Sequence, residues 1–134
     1  MATDIRLLWL RRVLVVKALV TIFVWGLPAL LMPQSLMEIL KVPIPTDPIY
    51  LRLFGGAAIA WGVAYWLASK DPSRNAAIVK AGVVDNALPT AVIVLAGLTI
   101  GISSGFLWVS ALLTGLFSVL FLLLMPREEH TLAT

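Results

Sequence analysis

Long apolar runs separated by short polar connections dominate the pattern of this chain. A helix needs about 20 mostly apolar residues to cross a hydrocarbon core of ~30 Å, and four runs reach that length. The predicted spans are residues 13–32, 49–68, 76–96 and 106–125. The pattern therefore predicts an all-α, polytopic integral membrane four-helix bundle, with residues 1–134 forming a single transmembrane domain.

The composition agrees with a membrane protein rather than a soluble domain. The chain is 60% hydrophobic and 13% charged, whereas soluble domains are roughly half apolar and about a quarter charged. The net charge is +3, but the basic residues flank the apolar spans and do not form a patch with aromatic residues. We therefore predict no nucleic-acid partner and a lipid bilayer as the surroundings.

Several kinds of chemistry are excluded by the residues that the chain lacks. There are no cysteines, so disulfides, thiolate nucleophiles and cysteine-bound metals are ruled out. The single histidine, His130, belongs to the C-terminal tail, and no phosphate loop, nucleophile elbow or paired carboxylates are present. We predict that the chain is not an enzyme, with a lipid-modifying enzyme as the alternative that stays open. We also predict that it holds no metal or haem, and we leave a bound lipid or quinone open.

The basic residues of the connections indicate an orientation. One side of the predicted bundle carries six of them: Arg6, Arg11, Arg12, Lys70, Arg74 and Arg127. The other side carries only Lys41. The excess of positive charge predicts that both termini are cytoplasmic, in a bacterial inner membrane. A cleaved signal peptide is the rival interpretation of the first run, but that run is long and contains Lys17.

The longest connection, residues 33–48, has an amphipathic first half. Apolar Leu36, Met37 and Ile39 lie beside polar Gln34 and Glu38. This composition predicts a short amphipathic helix lying in the membrane interface. Two interpretations stay open for this segment: a docking surface for another subunit, or a loop that covers the end of the bundle.

Small residues and tryptophans mark two further features of the spans. The small residues predict close helix packing, and the candidates are Gly55, Gly56, Ala60, Gly62 and Gly82. The tryptophans predict contact with the membrane interfaces, and the candidates are Trp9, Trp66 and Trp108.

The third span carries an acid, Asp85, near the middle of the membrane. At 1.5 Å per residue it lies ~14 Å deep, beyond the reach of a short side chain to either surface. Asn86 is its neighbour, and Pro89 removes the amide that would bond the Asp85 carbonyl. An intramembrane acid of this kind predicts either a proton- or ligand-responsive site or an interhelical pair that fixes packing.

A helical wheel predicts the direction and the partners of Asp85. The face shared with Asp85 consists of Ala81, Gly82, Pro89, Val92 and Ala96. This face is mostly small, so we expect it to contact other helices. Three cations lie in the spans, of which Lys17 and Arg52 are the expected partners. Lys80 is ~140° away around the helix, and both lysines lie within snorkelling reach of the headgroups.

The segment RLFGGAAIAWGVAYWLASKDP, with Arg52, Gly55 and Gly56 at its start, resembles the small four-helix bacterial membrane proteins of the DoxX-like and BphX-like kind. Members of such families are proposed to be accessory subunits of redox or other membrane complexes. The resemblance therefore implies an accessory role, and it carries over no catalytic residue.

Three functional hypotheses follow. The first is a non-catalytic accessory or assembly subunit of a larger inner-membrane complex, with other membrane subunits or a homo-oligomer as partners. The second is a small oligomeric carrier or channel in which Asp85 titrates. The third is a binder of a hydrophobic ligand of the quinone or isoprenoid type, held near Asn86, Trp61 and Tyr65.

Overall fold

The computed structural model describes residues 2–126. Within that range the regular structure is entirely helical. The elements are α1 (Ala2–Val20), a π-helical segment (Thr21–Gly26), α2 (Leu27–Leu31), α3 (Gln34–Ile39), α4 (Ile49–Lys70), α5 (Ala76–Thr99) and α6 (Gly105–Leu124). The predicted roles of Arg127 and His130 fall in the tail, outside the described residues.

Four helical stretches are long and apolar enough to cross a membrane, as the pattern predicts. The first is continuous through α1, the π-helical segment and α2, and it covers Ile5–Leu31. It begins earlier than the predicted residue 13 because the basic lead-in continues the same helix. The Arg6 guanidinium donates to the Leu123 carbonyl, a group that the end of α6 leaves without a helical partner.

Local chemistry accounts for the ends of the helices. The Asp47 carboxylate accepts from the Ile49 amide at 3.0 Å, just before α4. The Ser104 hydroxyl accepts from the Leu107 amide at 3.4 Å and caps α6. Between α5 and α6, Gly101 has a φ of +76°, a left-handed conformation that glycine adopts without strain.

The long helices pack as two hairpin-like pairs. In one pair, α4 lies along the first span, and a Cβ on Gly55 would meet the backbone of Leu30 and the carbonyl oxygen of Gly26. A Cβ on Gly62 would similarly meet Ile22. The other pair is α5 and α6, where a Cβ on Gly97 would meet the Trp108 ring. Each pair is therefore tightly packed within itself.

The two ends of the bundle differ in how the pairs meet. The packed half holds the start of α1 and the turn at residues 71–75, and its buried cluster is Leu10, Leu14, Ala18, Tyr65, Ala68, Val79 and Phe121. The cavity half holds the connections at residues 32–48 and 100–104. There α3 covers the end of the bundle with a buried Met37, and the Ser104 hydroxyl donates to the Leu40 carbonyl at 2.7 Å.

Candidate functional site

A cavity of about 360 Å³ lies between the two helix pairs in the cavity half. Its walls are mainly apolar and come from all four long helical stretches and from α3. Representative wall residues are Met37, Phe54, Ala57, Trp61, Ile93 and Phe106. Polar side chains gather at the floor, where the cavity meets the packed half.

Lys17 forms one side of this floor. Its side chain is only 2% exposed, and its ammonium lies 4.5 Å from the ring centre of Trp25, 5.2 Å from Phe117 and 5.5 Å from Tyr65. These rings come from the π-helical segment, α6 and α4, and they stabilise a cation by cation–π attraction. The expectation that Lys17 snorkels to the headgroups is therefore wrong. The depth of a residue gives the reach of its side chain but not its direction.

Asp85 forms the opposite side of the floor. The Tyr65 hydroxyl donates to the Asp85 carboxylate at 2.7 Å. The Asn86 amide donates to the Gly82 carbonyl at 2.6 Å and to the Tyr65 hydroxyl at 3.4 Å, so it helps to hold the Tyr65 hydroxyl in place. Asp85 also attracts the Lys17 ammonium by a Coulombic interaction. The hydrogen-bond partner of Asp85 is thus the neutral phenol of Tyr65. The predicted partner Lys17 attracts Asp85 only at longer range, across the cavity floor.

The other two predicted cations lie away from the cavity. Arg52 is exposed and precedes Tyr65 by thirteen residues on α4, a separation of ~20 Å along the helix. That distance is too long for an arginine side chain to reach Asp85, so the prediction of Arg52 as a partner is wrong. Lys80 has an exposed side chain on α5 and does not line the cavity.

Thr21 is a floor residue that the sequence analysis did not single out. It is 4% exposed and lines the cavity, and its hydroxyl has no hydrogen-bond partner among the described residues. It begins the π-helical segment, an irregularity that often occurs at functional sites. The sequence does contain a pattern that indicates Thr21. Lys17, Thr21 and Trp25 are spaced four residues apart, so they share one helix face.

The polar lining also includes Trp25, Ser110 and Thr114, and each of these side chains has a hydrogen-bond partner. The Trp25 indole N–H donates to the Ser110 hydroxyl at 3.0 Å, which joins the first span to α6. The Thr90 and Thr114 hydroxyls are 2.7 Å apart and join α5 to α6. These groups already satisfy one another, so they hold the helices in place while Thr21 remains unpaired.

The buried face of α5 is rotated from the predicted one. Gly82 and Asn86 are buried and Pro89 is half-buried, whereas Ala81 is exposed and Val92 is 63% exposed. The rotation follows from Gly82, because the rings of Tyr65 and Phe121 pack on it. Pro89 and Asp85 consequently both line the cavity.

The predicted packing residues divide into two groups. Gly55, Gly62 and Gly82 lie at close contacts between helices. Gly56 and Ala60 are exposed, and a Cβ on Gly56 would meet nothing within 4 Å. Of the adjacent glycines, Gly55 therefore faces the first span and Gly56 points away from the bundle.

The three predicted interface tryptophans are all partly exposed. Trp9 is 53% exposed with the Arg12 guanidinium over its ring, and Trp66 is 45% exposed. Both lie at the end of the bundle that holds the packed half. Trp108 lies at the other end, and its indole N–H donates to the Ile102 carbonyl at 3.2 Å.

Comparisons with known proteins add no relative to this description. No family model, no curated protein and no solved structure matches the chain. The resemblance to DoxX-like and BphX-like proteins stays a prediction, and the functional argument rests on the geometry of the cavity.

Proposed function

We propose that the chain binds a hydrophobic, lipid-like ligand of the quinone or isoprenoid type in the cavity between its two helix pairs. The observation that carries the proposal is a space of about 360 Å³ with apolar walls and a floor of Lys17, Thr21 and Asp85. Ligand sites generally have this form, with mainly apolar linings and a few polar groups that fix orientation. Their volumes begin at about 300 Å³.

The size of the cavity favours partial enclosure of the ligand. A water-sized group takes up about 30 Å³, so the space has room for on the order of a dozen such groups. This is enough for a polar end and the first part of an apolar tail. The rest of a longer molecule would extend into the bilayer.

The exposed wall residues favour an opening between α4 and α5. Phe54 and Ala57 of α4 line the cavity and are also exposed on the outside of the bundle. The seam between the first span and α6 is bridged at this level by the bond from Trp25 to Ser110. A lateral opening would admit the ligand from the hydrocarbon layer.

The alternative of a carrier or channel receives less support. A pathway would have to continue through the packed half, where Leu10, Leu14 and Phe121 are fully buried. These side chains offer neither space nor hydrogen bonds to an ion. The cavity therefore favours a binding site that is closed at one end.

An accessory role remains a second proposal, favoured by the outer face of α4. Gly56 and Ala60 lie one helical turn apart and are exposed, and small residues at this spacing allow two membrane helices to approach closely. The partner would be a second copy of the chain or another membrane subunit.

The ligand and accessory proposals are separated by two matched substitutions on α4. Ala57→Phe adds a ring to the cavity wall at the proposed opening, whereas Ala60→Phe adds the same bulk to the outer face. We would purify both variants and the wild type gently from native membranes, and identify the bound small molecules and polypeptides by mass spectrometry.

Ligand binding predicts that the wild type and Ala60→Phe carry a lipid-like molecule and that Ala57→Phe has lost it. Equal ligand content in Ala57→Phe, or no ligand in the wild type, would contradict this proposal. The accessory proposal predicts a stoichiometric polypeptide partner or homo-oligomer that Ala60→Phe loses. A monomeric wild type would contradict that one.

We also propose a bacterial inner-membrane location with both termini cytoplasmic, based on the excess of basic residues at the end that holds the packed half. The chain contains no cysteine, so single cysteines can be introduced at exposed positions of each end. Labelling of whole cells with an impermeant maleimide should modify Thr46→Cys and leave Ser73→Cys unmodified. The reverse pattern would overturn the orientation.

A further inference from the structure

We infer that the polar end of the ligand is an uncharged oxygen group, a carbonyl or a hydroxyl, held at the cavity floor by the Thr21 hydroxyl and the Lys17 ammonium. This inference rests on the proposed function, because it names the chemistry of the group that the cavity would receive. It assigns to Thr21 a ligand-binding role.

The first observation is the unpaired hydroxyl of Thr21. A buried hydroxyl without a hydrogen-bond partner is costly, and threonines in helices commonly bond the carbonyl four residues earlier. Thr90, Thr99 and Thr114 all make that bond, to Asn86, Leu95 and Ser110 respectively. Thr21 differs from them, and its side chain lines the cavity. A ligand oxygen at the floor would satisfy it.

The second observation is the surroundings of the Lys17 ammonium. Within the described part of the chain it lies over three aromatic rings, and it shares the cavity floor with Asp85. Ring faces attract the charge, but they do not replace the acceptors that three N–H groups require. Lys17 lines the cavity one helical turn before Thr21, so both donors face the same space.

The third observation, the charge of the floor, favours an uncharged group. The cationic Lys17 and the acidic Asp85 lie on opposite sides of the cavity floor and attract each other. An anionic ligand end would be attracted by Lys17 and repelled by Asp85. A cationic ligand end would be attracted by Asp85 and repelled by Lys17. With both charges unscreened in an apolar surrounding, a neutral acceptor avoids either penalty.

The test uses a series of probes with one tail and different polar ends. Each probe is a twelve-carbon chain brominated near its polar end, because bromine quenches tryptophan fluorescence on contact and both Trp25 and Trp61 line the cavity. The polar ends are a methyl ketone, an alcohol, a carboxylate, a trimethylammonium group and plain hydrogen. Quenching that also occurs in Ala57→Phe is subtracted as contact with the exposed tryptophans.

The expected result is that the ketone and the alcohol bind about three- to tenfold more tightly than the plain bromoalkane, the value of one or two hydrogen bonds. Thr21→Val keeps the shape of the side chain and should remove most of this preference. Thr99→Val is the matched control, since Thr99 is exposed and bonds its own helix, and it should preserve the preference.

The other outcomes separate the inference from the proposed function. Equal binding of ketone and bromoalkane, a preference for the carboxylate or ammonium probe, or an unchanged preference in Thr21→Val would overturn the inference while the cavity still binds ligands. If no probe gives saturable quenching in the wild type beyond that in Ala57→Phe, both the inference and the proposed function fail.

Discussion

The packed half and the cavity half are built from the same four spans, yet only one of them is filled. In the packed half, Tyr65 of α4 and Phe121 of α6 lie 5.5 Å apart between ring centres and close the space between the two helix pairs. About two helical turns further into the cavity half, α4 and α6 present Ala58 and Thr114. Two large rings are replaced there by two small side chains.

The difference teaches how a bundle of long apolar helices can keep a cavity without losing its fold. Apolar side chains gain little from leaving lipid for a protein interior, so membrane helices associate mainly through close packing. Here the close packing occurs within the pairs, at Gly55 and Gly62 in one pair and between Gly97 and Trp108 in the other. The space between the pairs then depends only on the size of the side chains that face it.

The largest effect is expected from emptying the packed half. Phe121→Ala should lower the free energy of unfolding by about 3–5 kcal/mol, the usual range for a fully buried phenylalanine. Phe106→Ala is the matched change in the cavity half. It enlarges a space that already exists, so it should cost only about 1 kcal/mol. Unfolding in mixed detergent micelles, followed by circular dichroism, measures both.

Equal losses for Phe121→Ala and Phe106→Ala would contradict the division of the bundle into two halves. A large loss for Phe106→Ala alone would place the stabilising contacts at the opposite end. Retained binding of the twelve-carbon probes by Phe121→Ala would further localise the ligand site to the cavity half.

The next effect concerns the packing of α4 on the first span. Gly55→Ala should cost about 3 kcal/mol, the upper end for overpacking, because its new methyl group meets backbone atoms of Leu30 and Gly26 rather than a flexible side chain. Gly56→Ala adds the same methyl group into open space, and it should be neutral or stabilise the helix slightly. Thermal unfolding of both variants in one detergent gives the comparison.

A loss of stability in Gly56→Ala equal to that in Gly55→Ala would show that the outer face of α4 is also packed. Because Gly56 is exposed within the chain, the contact would then have to come from a second polypeptide. The same pair of variants therefore also tests the accessory proposal.

Much of the fold was predictable because span length and apolar periodicity are local properties of the sequence. The spans predicted at 49–68, 76–96 and 106–125 correspond to α4, α5 and α6 to within about three residues, as expected for helix ends. The packing glycines were harder to sort. Gly55 and Gly56 are adjacent and chemically identical, and only the tertiary structure determines which of them faces the first span.

The floor of the cavity was predictable only in part. The helical wheel indicated an inward-facing Asp85, and the hypothesis of a bound ligand named Asn86 and Tyr65. The burial of Lys17 was not predictable, because the three rings around its ammonium come from three different helices. The unpaired state of Thr21 was equally hidden, since it depends on the π-helical segment rather than on the residue type.

A smaller effect is expected from the hydrogen bond at the boundary between the halves. Tyr65→Phe keeps the buried ring but removes the hydroxyl that donates to Asp85 and accepts from Asn86. The Asp85 carboxylate then lacks its donor and one N–H of Asn86 lacks an acceptor, while the bond from Asn86 to the Gly82 carbonyl remains. The free energy of unfolding should fall by about 1–3 kcal/mol. Denaturant unfolding of the single variants Tyr65→Phe and Asp85→Leu, and of the double variant, measures the coupling of the two residues, because leucine has a similar size and no acceptor.

If the Tyr65 hydroxyl stabilises the bundle through Asp85, the double variant should lose less stability than the sum of the two single losses. Additive losses would indicate that the hydrogen bond contributes nothing. A Tyr65→Phe variant as stable as the wild type would show that the acid has another partner of equal value.

The smallest effect is expected at the seam that closes the cavity on the side of α6. Ser110→Ala removes the hydroxyl that accepts from the Trp25 indole, and it should cost about 0.5–1.5 kcal/mol, the value of one hydrogen bond. Ser69→Ala is the control, because that exposed hydroxyl bonds only the Trp66 carbonyl of its own helix, and its cost should be near zero.

If α4 and α5 provide the opening, Ser110→Ala should leave the rate of probe binding unchanged despite its loss of stability. A faster rate in Ser110→Ala than in Ser69→Ala would move the opening to the seam between the first span and α6.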